Sequence, residues 1–139
     1  GLESTVVDLT SKVKILRPGL INQSDISKVL KKKTIIYKGT KIIKAPGTLK
    51  RHYSPGIRIK LNQKKAKNNE AFIVFGKKYK KAKNIFNLSS KSNLNEAARN
   101  LYKILRLIKK KNYKMICVSS IPQTGIGLAI NDRLSRAAN

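Results

Sequence analysis

At 139 residues the chain has room for one ordinary domain, or for a small domain plus part of another. Apolar residues make up 40% of it, enough for a core, yet no stretch reaches the roughly 20 continuous apolar residues of a membrane helix. A single cysteine, Cys117, excludes an internal disulfide and fits a reducing cytoplasm.

The net charge of +26, from 32 basic residues against six acidic ones, creates a positive field of the kind that draws nucleic acids. However, 25 of the 32 are Lys, and Lys, Asn and Ile together supply 54 of the 139 residues, a bias that A/T-rich codons produce. Base-edge reading leans on the planar fork of Arg, of which there are seven. Aromatic residues are not interleaved in a way that suits base stacking. A solvated, compositionally driven surface and an RNA-attracting one both remain open, and the second would make tRNA a partner.

In chain order, Ser4-Thr5-Val6-Val7-Asp8-Leu9 reads as a strand. Val13 to Arg17 reads as a second, ended by Pro18-Gly19, and the two suggest a hairpin. Ser24 offers an N-cap, Asp25 suits the helix dipole, and Ile26, Val29 and Leu30 share one face of a two-turn helix. This piece is too small to bury a core of its own. From Lys31 to Gly56, Pro46, Gly47, Pro55 and Gly56 interrupt any period, which predicts a connector with a short strand at Thr34–Tyr37. The only histidine, His52, lies there beside Tyr53.

Beyond Gly56 strands are expected at 57–61, 71–75, 84–88 and 114–119. A long helix capped by Ser92 or Asn93 carries apolar residues at Leu94, Ala97, Ala98, Leu101, Leu105 and Ile108. A final helix follows Gly125-Ile126-Gly127 and runs through Arg136. This pattern predicts a small α/β, Rossmann-like layered domain, a mostly parallel sheet covered by two helices. The organisation expected is 1–31 as part of a larger α/β body, 32–56 as linker and 57–139 as the layered domain.

The residue types supply no catalytic triad, paired carboxylates or metal cluster, so no catalytic or metal-ligating residue is assigned. Cys117, in the apolar run Met115-Ile116-Cys117-Val118, reads as a buried, inert thiol. Thr124-Gly125-Ile126-Gly127 could hold a phosphate, but it lacks the third glycine and the downstream acid of a dinucleotide site, and a plain tight turn is preferred.

Three stretches in order carry a family likeness: Gly1 to Thr10, Ile15-Leu16-Arg17-Pro18-Gly19, and Ala45-Pro46-Gly47 with His52-Tyr53-Ser54-Pro55. The close of the chain, Ile121-Pro122 followed by Gly125 to Ala138, adds a fourth. Together they resemble the YrdC-like L-threonylcarbamoyladenylate synthases in their long form with a C-terminal domain. The resemblance implies that 1–31 is the C-terminal remnant of a YrdC-like catalytic domain. It also implies a nucleotidyltransferase reaction in which L-threonine, bicarbonate and ATP, with Mg2+, yield threonylcarbamoyl-AMP and pyrophosphate. That product would feed threonylcarbamoyladenosine modification of tRNA by partner proteins in the cytoplasm. By the same resemblance Ser4 would hold L-threonine, Arg17 would place its permanent charge on the ATP phosphates, and Tyr53 would cover the nucleotide as a lid, with His52 beside it. The family's N-terminal cleft does not occur in this sequence. The chain is therefore expected to need that missing portion of the catalytic domain and to be inactive alone, or else to serve as a non-catalytic basic tRNA-binding or regulatory module.

Overall fold

The structure, a computed structural model, describes residues 2–37 and 56–138. Two sheets organise it. In the first, β1 (Val6–Asp8) and β2 (Lys14–Arg17) form the expected antiparallel hairpin. A bulge interrupts it: Val7 faces Ile15 but Val6 faces Arg17, so Leu16 is the extra residue. Strict alternation would leave one of Ile15 and Leu16 in water, whereas here both are buried. Helix α1 (Gln23–Leu30) then carries the chain over to β3 (Ile35–Ile36), which pairs in parallel with β2. The short strand expected at the start of the connector thus completes the N-terminal sheet.

Two expectations for α1 need correction. Asn22, not Ser24, is the N-cap: its side chain accepts from the N–H groups of Ser24 and Asp25, and Asp25 reaches back to close a capping box. Ser24 sits inside the first turn, where its hydroxyl bonds Asn22. Nor is the Ile26–Val29–Leu30 face buried; Val29 is 80% exposed. The helix is instead held through its polar side. Gln23 donates to the Thr34 carbonyl, and Ser27 shares a hydroxyl contact with the fully buried Thr34.

The second sheet contains β4 (Arg58–Lys60), β5 (Ala71–Val74), β6 (Ile85–Asn87) and β7 (Met115–Val118) in the order β4-β7-β5-β6. Every neighbouring pair is parallel, so both faces need covering. Helices α2 (Leu94–Lys110) and α3 (Gly127–Ala138) share one face. There Ile59, Ile73, Phe86, Ile116 and Val118 from the strands meet Ala98, Leu101, Leu105, Ile130 and Leu134 from the helices. The apolar spacing read for α2 forms this contact stripe, and Asn93 caps the helix by accepting from the Glu96 N–H. Loops cover the opposite face, where Ala66 and Tyr79 pack on Phe72, Val74 and Cys117. The sheet is therefore layered as expected, with helices on one side and loops on the other.

The turn before α3 is a close approach of backbones. Gly127 donates to the Thr124 carbonyl at 2.8 Å, and a Cβ on Gly127 would lie 2.1 Å from the Pro122 carbonyl oxygen. A tight turn thus stands at residues 124–127, where the sequence led one to expect it. Alanine is the better helix former by about 1 kcal/mol, but the clash is with backbone and outweighs that gain. Gly127→Ala is expected to lower the free energy of unfolding, measured by urea denaturation, whereas Gly125→Ala meets only open space and the strain of its left-handed φ of +49°.

Candidate functional site

The sequence nominates Ser4, Arg17 and Tyr53. Tyr53 and its neighbour His52 fall outside the described residues. The structure brings the other two together. Ser4 is exposed just before β1, and Arg17 ends β2. The bulged hairpin aligns them so that Arg17 Nε and Nη2 both donate to the Ser4 carbonyl, at 3.2 and 3.1 Å. Arg17 Nη1 lies 3.2 Å from the Glu3 carboxylate. The guanidinium is nearly buried, its side chain 11% exposed, and braces the segment carrying Ser4.

Two further residues hold that segment, and the sequence reading placed neither in the site. At Gly19 a Cβ would stand 2.4 Å from the Thr5 nitrogen and 2.5 Å from the Glu3 oxygen, so the Pro18-Gly19 bend can lie on the segment only without a side chain. Arg133, from α3, is the largest fully buried side chain, with 1% exposure. It donates to the Pro18 carbonyl at 3.1 Å, lies 3.5 Å from Glu3, and pairs with its neighbour Asp132. Asp132 in turn holds Arg136 at 3.0 Å, one turn later. Tyr102 of α2 borders the group; burial pushes its phenol up, with opposing effects from Arg133 and Glu3, so it remains protonated at neutral pH. A signal for Arg133 existed in the sequence, because it sits on the stripe Ala129, Ile130, Arg133, Leu134, Ala137, where an arginine interrupts an otherwise buried face.

The other acidic side chains are committed elsewhere. Asp8 accepts from Thr10, Asp25 closes the α1 capping box, Glu70 accepts from the Lys67 N–H and Glu96 from the Ser89 hydroxyl. Backbone hydrogen bonding, chiefly, holds the Glu70 carboxyl below its usual range. Cys117 is buried, and both burial and the Glu70 carboxylate at 3.4 Å raise its thiol, which leaves it protonated and a poor nucleophile. Among the described residues no three His, Cys, Asp or Glu side chains could share a metal ion. None of the described helices is long and apolar enough to cross a membrane. This geometry can position a ligand and neutralise charge; among the described residues no group is placed for covalent catalysis.

Residues 21–139 match the family model described as Threonylcarbamoyl-AMP synthase, C-terminal domain. The threonylcarbamoyl-AMP synthase of Pyrococcus abyssi (strain GE5 / Orsay) is 32% identical over 158 residues, covering 99% of this chain and 46% of that protein. The chain thus spans less than half the length of the curated relative it matches. The crystal structure of P. abyssi Sua5 complexed with L-threonine superposes with a TM-score of 0.82 at 28% identity, over 99% of this chain and 46% of that one. A P. abyssi Sua5 variant with an adjacent histidine and tyrosine both replaced by alanine superposes with a TM-score of 0.76 at 26% identity, over 98% and 44%.

The buried Arg133 generates a measurable expectation. Removing one partner of a buried charge group costs about 3–5 kcal/mol. Arg133→Ala should therefore destabilise the chain by that amount in urea. In a double-mutant cycle with Glu3→Gln the two changes should be non-additive by at least about 0.5 kcal/mol. A loss below 1 kcal/mol with additive effects would contradict the pairing.

Proposed function

The chain belongs to the threonylcarbamoyl-AMP synthase family, and from that premise we propose that it works as the C-terminal part of such an enzyme, contributing one wall of the active site. The reaction joins L-threonine, bicarbonate and ATP into threonylcarbamoyl-AMP with release of pyrophosphate, and its product serves threonylcarbamoyladenosine modification of tRNA in the cytoplasm. The observation that carries this reading is the contact between Arg17 and the Ser4 carbonyl at 3.1–3.2 Å. It joins the residue assigned to threonine and the residue assigned to the ATP phosphates in one rigid element.

In this reading Ser4, exposed at the strand start, offers its hydroxyl to L-threonine. The similar P. abyssi Sua5 structure is a complex with that amino acid. Arg17 adds a charge that no physiological pH removes, next to the developing charge of the phosphates. Its hold on Ser4 couples the position of the amino acid to that of the nucleotide, which is how a site without a covalent nucleophile accelerates a transfer. Tyr53 closes over the nucleotide with His52 beside it. His52-Tyr53 is the single His–Tyr pair of this sequence, the same pair of residue types that the P. abyssi variant replaces. Mg2+ enters on the ATP phosphates, as part of the substrate.

The portion of the P. abyssi relative that this chain does not cover, which exceeds half its length, corresponds to the part that supplies the remaining walls. The chain alone should release no pyrophosphate from ATP, bicarbonate and threonine. When it is joined to that portion, Arg17→Ala and Tyr53→Ala should each weaken ATP binding by about 1–3 kcal/mol, the scale of a charge-assisted contact. Full turnover by the chain alone would contradict its being one part of the enzyme. Unchanged ATP affinity in both variants would remove the clamp-and-lid assignment.

A further inference from the structure

The parallel sheet holds a second crevice, remote in sequence from Ser4 and Arg17. In open α/β sheets, ligands settle outside the carboxyl ends of the strands, where neighbouring strands send their connections to opposite faces. The pair β4 and β7 meets that condition. These strands are hydrogen-bonded neighbours running in parallel. The chain leaving β4 runs to the loop-covered face, where Ala66 packs. The chain leaving β7 runs to the helical face, where Ile121, Ile130 and Leu134 pack. Between the two departures lies a cavity of about 160 Å3, with Leu61 and Asn62 after β4, Val118 and Ser119 at the end of β7, and Gln123 and Asn131 beyond.

Its chemistry is specific. No charged residue lines it. Ser119 is 3% exposed, and its backbone N–H donates to the Ile73 carbonyl at 2.9 Å, which fixes the residue in place. Its Oγ is nevertheless buried without a hydrogen-bond partner. An unpaired buried hydroxyl is unfavourable, and a ligand that bonded it would recover that cost. Asn131 Nδ2 is spent on the carbonyls of Ile121 and Gly127, at 3.2 and 2.8 Å, so it holds the rim in shape. Asn62 and Gln123 stand exposed at the mouth, each a carboxamide with a donor beside an acceptor. Leu61 and Val118 add apolar surface.

We infer that this crevice is a binding site for an uncharged hydrogen-bonding ring, specifically the base of an adenine nucleoside. A carboxamide matches the adjacent donor and acceptor on the N6/N7 edge of adenine, a pairing that Asn and Gln make bidentately. Apolar side chains suit the faces of such a ring, and the Ser119 hydroxyl serves an inner ring nitrogen. The size agrees, because pockets for whole drug-sized ligands run from roughly 300 Å3 upward. At about 160 Å3 this one admits a base and leaves the sugar at the surface. The site is separate from the residues assigned to ATP, and it is lined by neutral groups rather than an arginine.

The test uses the full chain, isotopically labelled, with adenosine as the probe and amide chemical shifts as the readout. Adenosine should perturb amides at 61–63, 118–121, 123 and 131–135 while leaving those at 2–37 in place. Ser119→Ala should weaken adenosine about tenfold while leaving the melting temperature unchanged or raised, because it removes an unpaired buried hydroxyl. A serine needed only for structure would lower the melting temperature instead. Asn62→Ala, at the exposed mouth, should weaken binding without unfolding the chain. The assignment is overturned if millimolar adenosine perturbs nothing, if it perturbs only residues 2–37, or if ribose or inorganic phosphate perturbs the crevice equally well.

Discussion

A guanidinium with 1% exposure has to be paired, and this requirement joins the two sheets. Arg133 leaves the apolar stripe of α3 to meet the Pro18 carbonyl and Glu3, which flank the strands of the N-terminal sheet more than a hundred positions away. Glu3 answers with Arg17, and Arg17 with the Ser4 carbonyl. The position of the candidate threonine residue thus depends, through three side chains, on a helix at the far end of the sequence. Leu2, packed against the core of the second sheet, adds an apolar contact along the same boundary.

Scarcity of acid gives this arrangement its weight. Six carboxylates face 32 basic residues, and two of the six, Glu3 and Asp132, stand at this boundary. The other four close caps and turns. The excess of positive charge is carried by lysines such as Lys64, Lys65, Lys77, Lys103 and Lys110, which are exposed. Surface lysines contribute little to stability individually, so the fold can tolerate a charge of +26 while every acid keeps a structural partner.

Much of the layered sheet was legible because its signals are local. The run Ala71-Phe72-Ile73-Val74 announces a strand buried on both faces, and the spacing of Ala97, Ala98, Leu101, Leu105 and Ile108 announces one helical stripe. Strand order was not legible, since inserting β7 between β4 and β5 is a long-range choice that periodicity does not encode. The bulge at Leu16 was hidden for a related reason, because it depends on what β1 offers across the pair. At α1 the pattern misled: an apolar face was present, yet the buried contacts run through Gln23, Ser27 and Thr34. For the candidate site, Ser4 and Arg17 were nominated by family likeness, and their juxtaposition came from the fold. Arg133 was overlooked because an arginine on a helix ordinarily faces water.

The dependence of the N-terminal sheet on Arg133 can be measured residue by residue with native-state amide hydrogen exchange in Arg133→Met, which keeps the bulk of the side chain and removes its charge. The account predicts that amides of β1 and β2, including Val7 and Ile15, lose protection, while those of β5 and β7, including Ile73 and Ile116, keep theirs. Unchanged protection throughout β1 and β2 would contradict the claim that this buried charge holds the two sheets together.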